Sequence, residues 1–355
     1  MEKREKGRKG YHALLKYTFS FVMILCCLFS FSRRRKSSRF FLSQPLPESK
    51  ISMTDVSSDE FRSIVHESFH SQSRIIPSFM IVGEAKCGTT MLWHSLVENA
   101  DNFQEPRKKE ICTPLLTRYY DSIEDNLLNK IDIRRYSLNY ALKFPVQSER
   151  NSFTGEACTF YLSDYFAAQR LHAAFPWLKI IILVREPASR YLSNFNHALK
   201  KKKIKVDAST NLTSLFERSV QNEIDIYKRN ECTMDTKFGG PFKKHGQFNC
   251  LSLKRGFYVE HIKTYERYFG ANNVKVVLYD YLNQSKSMHS IFSFLGTFSK
   301  LEEVELKIVN EASKDARYTL KSSDAKTVLV QLREFYRFHN LELFKHLQIP
   351  YPSTW

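Results

Sequence analysis

"SFMIVGEAKCGTTMLWHSL", Ser78 to Leu96, is the stretch that decides the fold. Its opening apolar run, Ser78 to Gly83, is short, ends in glycine and reads as a buried strand. Beyond it, Met91, Leu92, Ser95, Leu96 and Val97 recur at helical spacing. Between the two, Gly83 and Gly88 keep the glycine spacing of the phosphate loop G-x-x-x-x-G-K-[ST]. The residue after the second glycine is Thr89, however, and the lysine is Lys86, inside the loop. A strand, a glycine-rich turn and a helix together aim backbone N–H groups and a helix N-terminus at an anion. Thr89 and Thr90 add hydroxyl donors. A kinase or NTPase would want lysine at position 89 and a magnesium-binding acid on a later strand.

Outward from the loop, strands and helices alternate. "LKIIILV" (Leu178 to Val184) is β-branched without alternation, as in a strand covered on both faces. It ends in Arg185, Glu186 and Pro187, and "PASRYLSNFNHALKKKK" follows as a helix with proline in its first turn. "GFYVEHIKTYERYFG" reads as an amphipathic helix closed by glycine, and "VKVVLYDYL" (Val274 to Leu282) as a third strand. "SDAKTVLVQLREFYRFHNLELFKHL" reads as a long C-terminal helix or helix pair. The order predicts an α/β fold: a three-layer, P-loop-like domain with a central parallel sheet flanked by helices.

"GEAKCGTT" resembles the 5′-phosphosulfate loop of the sulfotransferases, and "LVREPASRYLSNF" (Leu183 to Phe195) resembles their 3′-phosphate segment. The likeness extends over roughly residues 76 to 355 and is nearest the Golgi carbohydrate sulfotransferases of the heparan sulfate and N-acetylgalactosamine 4-sulfate 6-O types. It implies 3′-phosphoadenosine 5′-phosphosulfate (PAPS) as co-substrate, with no metal. It also implies roles. Lys86 is catalytic at the bridging oxygen, and Gly88, Thr89 and Thr90 hold the 5′-phosphate. Arg185 and Ser193 hold the 3′-phosphate. The family's base is a glutamate some two dozen residues past the loop lysine. In "FQEPRKKEICTPLL" Glu110 fits best and Glu105 is the alternative, although Ile111, Cys112 and Thr113 stand where aromatics are expected. "GEACTFYLSD" (Gly155 to Asp164) matches a third segment, with Ala157 and Cys158 in place of a polar pair and with Glu156 and Tyr161 either lining the acceptor site or buried structurally. "NEASKDARYTL" resembles the basic loop near the 3′-phosphate and offers Lys314 and Arg317.

The remaining features concern partners and location. A net charge of +17 over 355 residues favours an anionic partner, and 43% hydrophobic content argues against global disorder. Residues 1–16 are basic, and Tyr17 to Ser32 carry no charge before "RRRK". This reads as a cytoplasmic tail and a short transmembrane signal anchor, with a cleaved signal peptide as the competitor. Residues 33–75 are polar and read as a stem linker, leaving 76–355 as a lumenal sulfotransferase domain. Asn211 and Asn283 head N-x-[ST] sequons, and Cys232 and Cys250 flank a polar stretch that a disulfide would close in an oxidising lumen. The expected protein is single-pass type II in the Golgi membrane, acts on an anionic glycan acceptor and binds no nucleic acid. Its oligomeric state is open. The rival readings are a P-loop kinase or NTPase and a non-catalytic glycan-binding membrane protein on the same scaffold.

Overall fold

The computed structural model describes residues 56–355 apart from 114, 117–129, 149–150, 165, 208, 231, 233–250 and 299–318. The sheet is built of β1 (Phe79–Ile81), β2 (Gly155–Ala157), β3 (Lys179–Val184) and β4 (Val274–Leu278), in the order β2-β1-β3-β4. Every pairing is parallel, with Ile81 beside Ala157 on one side and Ile181 on the other. All of β1 and β2 and all of β3 but Lys179 are buried, as the unbroken apolar runs require, whereas edge strand β4 is buried only at Val277 and Leu278.

The helices are α1 (Ser58–His70), α2 (Thr89–Asn99), α3 (Lys130–Ala141), α4 (Ala167–Ala174), α5 (Pro187–Lys200), α6 (Leu212–Lys228), α7 (Leu251–Lys254), α8 (Tyr258–Phe269), α9 (Ser285–Leu295) and α10 (Lys326–Leu347). The α/β reading of the sequence is therefore correct, with adjustments. The third strand stops at Leu278, and Tyr279–Tyr281 turn as a 3-10 helix instead. The C-terminal stretch is one helix, not a pair. Helix α1 lies inside the stretch expected as a linker. Its Phe61, Ile64, Val65 and Phe69 repeat at helical spacing and are buried in the main core, so ordered packing begins well before residue 76. A second apolar cluster joins α5, α6 and α10 through Tyr191, Phe195, Phe216, Val220, Leu332 and Tyr336.

The strand order places the active end. The chain leaves β1 toward β2, then crosses to β3 on the other side of β1. Parallel sheets open a crevice at such a reversal, outside the carboxyl ends of the strands. The loops leaving β1 and β3, beginning at Val82 and Arg185, therefore emerge side by side.

No helix among the described residues is long and apolar enough to cross a membrane, and Tyr17 to Ser32 lie outside the described residues.

Candidate active site

The loop after β1 is shaped by two left-handed residues. Gly88 has φ of +91° and caps α2, and a side chain there would press on Tyr279 and Leu282. Lys86 has φ of +73°, a conformation that L residues other than glycine, asparagine and aspartate seldom adopt and that concentrates at functional sites. Helix α2 has no side-chain cap, and Leu92 N–H donates to the Gly88 carbonyl, so the Thr89, Thr90 and Met91 amides precede the helix's own hydrogen bonding. Those amides and the helix dipole are arranged as an anion cradle requires.

Beside this cradle stands Arg185, at the end of β3. Its Nη1 donates to the Lys86 carbonyl at 3.3 Å, and its guanidinium lies over the Tyr279 ring, 4.4 Å from the centroid. The two motifs thus meet directly. Ser193, His197 and Lys200 share one face of α5 at helical spacing. His197 and Lys200 on that face lie close enough to Lys86 to interact with its charge. Burial lowers the Lys86 ammonium below its usual range, and the nearby charges of Arg185 and Lys200 lower it further. Burial also holds His197 near a pKa of about 4, with Lys86 adding to the effect. The Lys86, Arg185 and Lys200 charges, with a neutral His197 beside them, give the crevice a positive potential that favours anions. A lysine of lowered pKa is also a better proton donor.

The two candidate bases separate cleanly. Glu105 accepts from the indole N–H of Trp93 at 2.8 Å, which ties it to α2. Glu110 stands at the loop. Lys109 Nζ donates to Glu110 Oε1 at 2.9 Å and reaches Thr89 Oγ1 at 3.5 Å, bridging the carboxylate to the first residue of α2. The Glu110 side chain keeps 44% exposure and so remains accessible to an incoming molecule. Glu156 and Tyr161 do not line the site: both are fully buried, and the Tyr161 hydroxyl donates to the Glu156 carboxylate.

Other calls fall elsewhere. Lys314 and Arg317 lie outside the described residues, as does Cys250. Cys232 is disulfide-bonded. Asn211 and Asn283 are exposed, and the Asn211 side chain also caps α6 by accepting from Ser214 N–H. An unexpected bond joins Cys112 to Cys158, whose Cα atoms lie 5.4 Å apart. Their sulfurs and Glu156 cluster as three metal ligands would, but the sulfurs are joined to each other.

Two supporting groups escaped the sequence reading. The Tyr258 hydroxyl donates to the Arg185 carbonyl at 2.8 Å and lies 3.7 Å from the Cys87 thiol, so one side chain at the start of α8 touches both motifs. Burial pushes that thiol up to about 12, which makes it packing material and not a nucleophile. Arg255 Nη1 lies 3.6 Å from Glu84 Oε1, a buried ion pair inside the loop. Tyr258 opens α8 and Arg255 lies in the short turn before it. Nothing in that position announces contact with a loop some 170 residues away.

Fold and site together define an α/β transferase with a phosphate-type loop modified to carry its lysine inside. The chain belongs to the sulfotransferase family: the sulfotransferase domain matches residues 77–338. Membrane-associated sulfotransferase kil1 of Dictyostelium discoideum is 27% identical over 151 residues, covering 42% of this chain and 29% of that protein. Carbohydrate sulfotransferase 15 of Mus musculus is 22% identical over 312 residues, covering 77% of this chain and 54% of that protein. The chain therefore spans about a third to a half of the length of these curated relatives. Among solved structures, a sulfotransferase from Alicyclobacillus acidocaldarius shares the fold, with a TM-score of 0.54 at 21% identity, over 78% of this chain and 97% of that one.

Proposed function

We propose that this sulfotransferase uses PAPS and sulfates a hydroxyl of an anionic glycan, of glycosaminoglycan type. The observation that carries the reading is the meeting of Lys86, Arg185 and the uncapped start of α2 in one crevice, with Glu110 bridged to Thr89 at its edge. The residues present fit the co-substrate. Cations and helix-start amides suit a molecule with two separated phosphate groups: beyond the effect of burial, Arg185 and Lys200 lie close enough to Lys86 to lower its pKa, with the Glu110 carboxylate only partly offsetting them. When bound, PAPS would supply the sulfuryl group and a bisphosphate leaving group.

In this reading Gly88, Thr89 and Thr90 hold the 5′-phosphate through backbone amides and hydroxyls. Arg185 and Ser193 hold the 3′-phosphate, which separates PAPS from ordinary adenine nucleotides. Lys314 and Arg317 belong to the same binding group. Glu110 takes the proton of the acceptor hydroxyl, and Lys86 stabilises the charge that grows on the departing oxygen. The family likeness to a carbohydrate sulfotransferase and the net charge of +17 support an anionic polysaccharide acceptor. We further place the domain in the Golgi lumen of a single-pass type II protein anchored by Tyr17 to Ser32, with Cys232 bonded to Cys250 and sugars on Asn211 and Asn283. The uncharged run between basic flanks supports this placement, as does likeness to a membrane-associated relative.

The test is a calorimetric titration of the full chain with adenosine 3′,5′-bisphosphate, against ATP with magnesium. It is followed by incubation with sulfur-35-labelled PAPS and chemically desulfated heparin or chondroitin. Binding of the bisphosphate but not ATP, with label entering one polymer, is expected. A preference for ATP would overturn the donor assignment, and bisphosphate binding without transfer to either polymer would overturn the acceptor class.

A further inference from the structure

Two stretches depart from the family pattern, "EICT" after Lys109 and "EACT" after Gly155. The structure bonds them to each other. Cys112 and Cys158 form a disulfide across 46 residues of sequence. Both are buried, at 4% and 0% exposure. The bond is reinforced next to its own backbone. Cys112 is left-handed, with φ of +45°, and its N–H donates to Glu156 Oε1 at 2.6 Å. The other Glu156 oxygen accepts from the Tyr140 hydroxyl at 2.6 Å, and Tyr161 reaches both oxygens at 3.1 and 3.2 Å. Tyr161 is in turn held by Tyr265, whose hydroxyl donates to its carbonyl at 2.9 Å.

The far side of this knot is the root of the catalytic loop. Cys158 N–H donates to the Ile81 carbonyl, and Leu162 N–H to the Val82 carbonyl. Ile81 ends β1 and Val82 is the residue before Gly83. The Cys158 segment therefore shares a backbone frame with Lys86. Glu110 sits two residues before Cys112, on a stretch with no helix or strand of its own. An irregular segment loses its position unless something specific holds it, because ordering each residue costs backbone entropy.

We propose that the Cys112–Cys158 disulfide and the Glu156 carboxylate are positioning groups that hold the Glu110 carboxylate in register with the Gly83–Gly88 loop. The bond fixes one end of the segment to the frame of β1, the Glu156 hydrogen bond fixes the direction of the Cys112 peptide, and the Lys109 ammonium fixes the other end at Thr89. Neither cysteine touches the reacting atoms; they act through Glu110. The inference rests on Glu110 as the base, and its test separates the two.

The full chain is compared with Glu110→Gln, with Cys112→Ser/Cys158→Ser, with both changes combined, and with Glu156→Gln and Glu156→Ala. The readouts are turnover of labelled PAPS onto the polymer that the unmodified chain sulfates, and calorimetric affinity for adenosine 3′,5′-bisphosphate. Misplacing a catalytic group by about 1 Å can cost ~100-fold, so the double serine variant is expected to lose roughly 10- to 100-fold in turnover. Its bisphosphate affinity stays within about twofold. Added to Glu110→Gln, the serine changes cost nothing further, because residues acting through one group are not additive. Glu156→Gln, which keeps an acceptor for the Cys112 amide, retains more turnover than Glu156→Ala. Wild-type turnover in the double serine variant beside a crippled Glu110→Gln would overturn the positioning role alone. So would a further loss in the combined variant, or bisphosphate affinity falling in parallel with turnover, either of which marks a bond that merely stabilises the fold. Wild-type turnover in Glu110→Gln, or no transfer by the unmodified chain, would remove the base assignment and the positioning role with it.

Discussion

On the proposed reading, the donor side and the acceptor side of the crevice are built by different means. On the donor side the groups follow strand ends: Lys86 in the loop after β1, Arg185 directly after β3, and Ser193 two turns into α5, the helix that β3 leads into. The sheet positions them, and buried groups such as Tyr258 and the Glu84–Arg255 pair lock them from behind. On the acceptor side, Glu110 belongs to no element; Lys109 contacts it directly, and Cys158 and Glu156 hold Cys112 two residues on. Regular structure can place a group by backbone alone, whereas an irregular segment needs particular side chains from distant parts of the chain. The donor geometry is consequently the sturdier half, and the acceptor half the one open to single-residue change.

The largest break in that comparison should come from Lys86→Ala. Turnover is expected to fall on the order of 100- to 1,000-fold, the cost of one preorganised electrostatic group, with bisphosphate affinity changed only a few-fold. Steady-state rates and calorimetry on one preparation check it; a matching collapse of affinity would make Lys86 a binding group only. Next come Arg185→Ala and Ser193→Ala. A charge-assisted hydrogen bond contributes about 1.5–3 kcal/mol and a neutral one about 1. Bisphosphate affinity should thus weaken roughly 10- to 100-fold in the first and about fivefold in the second, while affinity for adenosine 5′-phosphate hardly moves. Equal losses for both nucleotides would detach these residues from the 3′-phosphate.

The smallest effect concerns pH and the frame behind the site. Burial raises the carboxyls of Glu156 to about 7 and Glu223 to about 8, from near 4.5. A raised carboxyl binds protons in the folded state that the unfolded chain has already released. The stability it confers is complete below about pH 4.5 and is lost as pH climbs through the folded value. Histidines 197, 261 and 339, lowered to about 4, act oppositely and only below about pH 6.5. Between about pH 7 and 8.5 the glutamates therefore dominate, and the melting temperature should drop by a few degrees. Melts of Glu223→Gln should show a shallower drop; an identical one would mean that the decline has another source.

The same division explains what was legible beforehand. The sheet announced itself through unbroken apolar runs, and the loop through glycine spacing, because both follow from local rules. The placement of Lys86 beside Arg185 also followed, since parallel strands bring their carboxyl ends together. Helix α1 was misread as linker because "SDEFRSIVHESFH" is polar on average, and only its one-sided Phe61, Ile64, Val65 and Phe69 betray burial. Tyr258 and the Cys112–Cys158 bond were invisible for a different reason. Each is a contact between segments whose sequences contain no trace of one another.

The crowding of Lys86, Arg185 and Lys200 has a thermodynamic consequence. Their charges repel one another, and the Glu110 carboxylate offsets that repulsion only in part. A polyanion entering the crevice relieves it, and whatever binds the folded chain alone stabilises it by RT ln(1 + [L]/Kd). On the proposed reading the donor nucleotide would act as counterion as well as reactant, and the protein should be hardest to unfold when its donor is abundant.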